Sequence, residues 1–220
     1  MRNSRHILAP YSMLAAALLI LACGKDGGSQ SSSSSARQEE QERAGKMFKS
    51  QLLPLNSLVA GSSLGLLEWN VGPSGMSFHL AMSNTPEDLE HFQAIHSGNQ
   101  CPTDSADLNA DGIIDMKELE KVSGDLLFAL DSDLSSAENG HFGQSRSNEY
   151  GNYVYSGQMA NSHMRSIASD LSPVGKVVVV YGVNQNFSLP SSVYEGSGNK
   201  HRFVPISCGV IKAAPPQNLY

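Results

Sequence analysis

The chain has 220 residues, 40% of them hydrophobic, with a formal charge of −6 and a pI near 5.6. That length suffices for one sizeable packed domain or two small ones. The acidic balance, with no run of Lys or Arg anywhere, excludes a nucleic-acid binder that tracks phosphates.

The opening segment MRNSRHILAPYSMLAAALLILAC carries Arg2 and Arg5 ahead of an apolar stretch from Met13 to Ala22 and stops at Cys23. This is the layout of a secretion signal. The apolar stretch is shorter than the ~20 residues that cross a bilayer, so export with cleavage is expected in place of a membrane span. Ile20-Leu21-Ala22-Cys23 resembles the lipobox of bacterial lipoproteins. That resemblance implies a signal peptide over 1–22, lipidation of Cys23 and a membrane partner reached through the lipid anchor. Gly24, in place of Asp after the cysteine, implies the outer membrane of a diderm cell envelope by the same rule.

Residues 23–45 continue as GKDGGSQSSSSSARQEEQERAG after the cysteine, Gly/Ser-rich and then charged. Such a stretch has little to bury and reads as a disordered tether, long enough to hold a domain off a membrane by roughly a few nanometres. The folded domain is expected over 46–220. Its first docking segment is Met47 to Val59, in which Pro54 argues against one continuous helix.

From Leu64 the pattern turns to β. LGLLEWNV, MSFHLAMS, HFQAIH, NYVYSG, KVVVVYGV and FVPISCGVI are short runs rich in branched and aromatic residues, separated by Gly, Pro, Asn and Ser. The alternation of MSFHLAMS predicts one wet face, whereas the four consecutive valines after Lys176 predict a strand buried on both faces. Two helices are expected, Met116 to Val122 and Met159 to Leu171. Many short strands with few helices predict an all-β sandwich or barrel.

Between the strands lies Asp107 to Glu118, DLNADGIIDMKE, which matches D-x-[DN]-x-[DN]-G-x5-E in full. Ca2+ prefers oxygen ligands, and an EF-hand loop presents them at positions 1, 3, 5, 7, 9 and 12 with a Gly turn at 6. Here those positions are Asp107, Asn109, Asp111, the Ile113 carbonyl, Asp115 and Glu118, with Gly112 at the turn. Ile114 is expected to point inward. The alternative is a solvated Asx-turn running into a helix N-terminus, which Asp and Gly also favour. The incoming segment CPTDSA has no helical period, and the chain holds no second loop of this type: Asp131-Ser132-Asp133 lacks the Gly and the terminal Glu.

Of the 3 Cys, the lipid accounts for Cys23. Cys101 and Cys208 remain, either as a pair that an oxidising compartment would join or as two separate buried thiols.

HFQAIHSGNQC, VVVVYG and the terminal ISCGVI together resemble the copper-zinc superoxide dismutase family over about Met76 to Ile211. The resemblance implies a Greek-key β-sandwich and a Cys101–Cys208 disulfide. It also implies a copper held by imidazoles, since copper cycles between oxidation states on nitrogen ligands. The expected His-x-His is absent, Ala94 standing where the first imidazole would be, and Tyr181 occupies the late position. His96 with His141, which is similar to the family's bridging histidine, is the residual set. The acidic loop takes the place of the family's zinc loop.

The function expected on these grounds is a calcium-binding, non-catalytic envelope lipoprotein in which Ca2+ orders a loop of a β-sandwich. Its loops would meet a protein or glycan partner. The alternative is a divergent superoxide dismutase-like redox metalloprotein. No catalytic residue is assigned.

Overall fold

A computed structural model describes residues 45–73, 75–130, 145–160, 173–194 and 199–215. The signal, Cys23, the tether, His141, His163 and Asp131-Ser132-Asp133 lie outside the described residues.

Nine strands dominate: β1 Lys46–Pro54, β2 Leu64–Gly72, β3 Gly75–Ser83, β4 Phe92–His96, β5 Leu126–Ala129, β6 Tyr153–Ala160, β7 Val177–Tyr181, β8 Pro205–Val210 and β9 Lys212–Ala213. They form one curled antiparallel sheet in the order β5-β4-β7-β8-β1-β2-β3-β6, with β9 on β1. The curl is joined where Leu53 and Pro54 at the end of β1 pair with Cys208 and Ser207 on β8. The all-β expectation is met at this level.

Side-chain alternation explains the curl. On β3, Met76, Phe78, Leu80 and Met82 are buried while Ser77 and His79 face out, so this strand has one wet face as its pattern predicts. Inward residues of the two arms meet: Trp69 on β2 packs edge-on against Phe128 on β5 at 5.9 Å between ring centroids. Burial of each such large apolar side chain contributes about 1.5–3 kcal/mol.

The valine strand β7 separates two cores. Val178 and Val180 join the cluster of Trp69, Phe78 and Phe128. Val177, Val179 and Tyr181 join a second cluster with Phe92, Ile114, Leu119 and Cys208. The segment after β4 therefore covers the outer side of the β4-β7-β8 arm, and both faces of β7 are dry.

Three strands escape a reading by periodicity. β1 ends in Pro54 and mixes polar with apolar residues, and β5 and β9 are only four and two residues long. The helix expected over Met159 to Leu171 is corrected at its start: Met159 and Ala160 extend β6, opposite Met76 and Gly75. The waiting edge of β3 supplies backbone partners that outweigh local helix propensity. The remainder of that stretch lies outside the described residues.

Candidate metal centre

The acidic loop is built by local capping. A 3-10 turn over Asp104–Ala106 leads in from the Cys101 side, and the helix Met116–Ser123 leads out. Asp115 is its N-cap, and a reciprocal capping box joins the Asp115 side chain to the Glu118 N–H and the Glu118 side chain to the Asp115 N–H. Gly124, at φ +74°, ends the helix. The predicted exit helix is present, and the entry helix is not.

Within the loop, the carboxylates accept backbone N–H groups. Asp107 takes those of Asp111 and Gly112 at 3.2 and 2.8 Å. Asn109 Oδ1 accepts from Asp111 N–H at 2.9 Å, and Asp111 Oδ1 from Ile113 N–H at 2.9 Å. Glu118 spans the loop: Oε1 accepts from Leu108 and Asn109 at 2.9 and 3.4 Å, and Oε2 from Asp115 at 3.1 Å. Gly112 turns at φ +87°, with open space where a Cβ would project, so it is the left-handed backbone conformation that a side chain disfavours here.

Loop positions differ in depth. Asn109 is exposed, Asp107 and Asp111 are half-buried, and Asp115 and Glu118 are each only 5% exposed. Ile113 and Ile114 are both buried, one in each core, so the inward turn expected of Ile114 is present. A second segment closes over the loop: Ser192 Oγ donates to Asp111 Oδ2, and Tyr194 N–H donates to Asp115 Oδ2 at 2.9 Å. Lys117 lies 4.2 Å over the Tyr194 ring, a cation–π contact that pins the same segment.

The donor set is all oxygen and suits a hard cation. None of the four carboxylates forms an ion pair with a cationic side chain among the described residues, where Lys49–Glu68 is an ion pair of the sheet surface. Nor do three or more His, Cys, Asp or Glu side chains converge as a metal cluster among those residues. The carboxylates are directed at the loop's own N–H groups. Since each carboxylate oxygen can accept more than one bond, the N–H bonds leave capacity for an ion.

Cys101 and Cys208 are joined by a disulfide, as the resemblance implied. It fastens the segment entering the acidic loop to β8.

His96 and Tyr181, the two positions that the resemblance sets near copper, touch each other. His96 is fully buried; its Nδ1–H donates to the Gly124 carbonyl at 2.8 Å, which leaves Nε2 to accept from the Tyr181 hydroxyl at 2.5 Å. Burial lowers the His96 pKa, opposed by the Gly124 bond and by Asp125. Burial also holds the Tyr181 phenol far above its usual range, with Glu120 adding to it, so the hydroxyl stays a donor. Both ring nitrogens of His96 are thereby spent on protein partners. Tyr181→Phe should leave Nε2 buried without a donor and cost about 1–3 kcal/mol in urea denaturation; an unchanged midpoint would mean that the bond contributes nothing.

On the outer face, Glu68, His79 and Ser156 stand in one register row across β2, β3 and β6. His79 Nδ1 lies 2.8 Å from Ser156 Oγ, but the Glu68 carboxylate is taken by Lys49 at 2.7 Å. His79 and Ser156 thus form a cross-strand pair on an exposed sheet face.

Asn56, Ser192 and Tyr194 are the residues of the loop's surroundings that sequence reasoning misses. They lie 58 or more residues from their partners, and no local pattern reports such a contact. Compared with known protein families and with curated proteins, the chain matches none.

Proposed function

We propose that the chain is a calcium-binding, non-catalytic lipoprotein of the cell envelope, in which Ca2+ orders the loop 107–118 on a Greek-key β-sandwich of the superoxide dismutase-like kind. One observation carries this reading: Asp115 and Glu118 are buried at 5% exposure with no cationic side chain paired to them among the described residues. Buried charge is ordinarily paired or bound to a metal, and a divalent ion supplies the missing positive charge. Asp107, Asn109, Asp111, the Ile113 carbonyl, Asp115 and Glu118 are the residues that would hold it. The lipid on Cys23 would tether the domain to the outer membrane, leaving its loops to meet a protein or glycan partner.

The protein's own part is to anchor the loop that carries those oxygens. The capping box fixes Asp115 and Glu118 at the helix N-terminus, and the two isoleucines fasten the loop to both cores. With extracellular-class affinity of about 0.1–1 mM, calcium near 2 mM should stabilise the fold by about 0.6–1.8 kcal/mol, a melting rise of a few degrees. Glu118→Gln should abolish that rise. Equal melting of the native protein in calcium and in chelator would end this reading, and stoichiometric copper with dismutase activity after copper loading would replace it by the redox one.

A further inference from the structure

We propose that Asn56 is the positioning residue of the acidic loop, its side-chain amide serving Ile114 as a neighbouring strand would and tying the loop to β8. This deepens the calcium reading and rests on it. Asn56 Oδ1 accepts the Ile114 N–H at 2.8 Å, and Asn56 Nδ2 donates to the Ile114 carbonyl at 2.8 Å and to the Pro205 carbonyl at 2.9 Å. One amide thus satisfies both backbone groups of a single residue, the exchange made by a hydrogen-bonded pair in an antiparallel ladder, and its remaining proton reaches the residue that begins β8.

The amide is held in place from both sides. Leu55 N–H donates to the Ile206 carbonyl at 2.9 Å, and the Asn56 carbonyl accepts from Val59 and Ala60 at 3.0 Å each. Asn56 itself sits in the left-handed region at φ 51° and ψ 43°, a conformation that Asn tolerates better than other residues with a side chain. The short helix Ser57–Ala60 starts there because the chain turns at this residue. Ile114 is the eighth residue of a loop that has no second loop of its type in the chain to lean on. The fixed amide replaces that support, so the oxygens on either side of Ile114, from the Ile113 carbonyl and Asp115, are held in register before an ion binds.

Two substitutions separate the amide from the backbone shape. Asn56→Gly keeps the positive φ without strain and removes the side chain. Asn56→Asp keeps the size and the acceptor but loses both N–H donors and faces two carbonyls with a carboxylate. Calcium chloride titrated calorimetrically into each oxidised protein should show dissociation constants raised about tenfold over the unsubstituted chain, the scale of one or two net hydrogen bonds. Hydrogen exchange at the Ile114 amide should quicken by a similar factor in the Gly variant. A residue that only stabilised the fold would lower the melting temperature and leave calcium affinity unchanged in the folded protein. If the unsubstituted chain binds calcium and either folded variant binds it equally well, the role of Asn56 is overturned and the calcium reading stands. If the unsubstituted chain binds none, both fall together. Should the Gly variant fail to fold, the Asp variant decides.

Discussion

Replacing Cys101 and Cys208 by Ser is expected to lower the free energy of unfolding by about 4–5 kcal/mol, the largest effect of any change considered. The bridge spans 107 residues of sequence, and closing a loop of that length removes about 4.7 kcal/mol of chain entropy from the unfolded state in the entropic model. The folded state loses little packing, because Ser fits where Cys stood and Cys208 is one small member of a larger cluster. The loss should not spread evenly. Cys101 lies six residues before Asp107, so the acidic loop and its 3-10 turn lose their covalent hold on β8 and should open more readily than β2 or β3. Urea unfolding of oxidised and double-Ser proteins measures the total, and hydrogen exchange along the chain locates it. A midpoint unmoved by the double substitution would show that the bridge constrains nothing that packing does not already hold.

Acidification from pH 8 to pH 5 is expected to weaken the fold through His91 and His96. Both imidazoles are fully buried, and burial lowers both pKa values below the ordinary histidine value, against backbone bonds that pull the other way. His91 faces two carbonyls, of Tyr181 at Nδ1 and Pro86 at Nε2, at 3.1 and 3.2 Å. A neutral ring serves one of them at a time, and the ring stacks on Tyr153 at 5.3 Å. With the folded pKa depressed, the unfolded chain binds more protons than the native one below about pH 6.5. Stability is therefore level above that pH and falls as the pH drops toward the folded values, by up to about 1.4 kcal/mol per pH unit for each histidine. Urea midpoints taken at half-unit steps check this, and His96→Gln should make the slope shallower. A midpoint that stays level or climbs on acidification would mean that the rings are already charged in the fold.

The parts of the fold readable from residues are those governed by neighbours in sequence. Alternation on β3 and the valine run of β7 each follow from whether one face or two are dry. The helix Met116–Ser123, expected from its residues, is bounded by Asp115, Glu118 and Gly124, since capping acts over three or four residues. The spacing of oxygen donors from Asp107 to Glu118 is likewise a local property. Where local preference and long-range pairing compete, sequence reading fails: Met159 and Ala160 suit a helix yet complete β6, because the unpaired groups of β3 lie opposite them.

By itself, the amino-acid order determined that this is a β-rich chain with a loop rich in acidic and amide oxygens, since periodicity and residue spacing are both short-range. Only the tertiary structure decided that Ile113 and Ile114 enter two different cores, that Tyr181 spends its hydroxyl on His96, and that Asn56 holds the loop from 58 residues away. Those contacts depend on how the sheet curls, and the curl is set by inward side chains from distant strands packing together, a sum that no stretch of the chain contains alone.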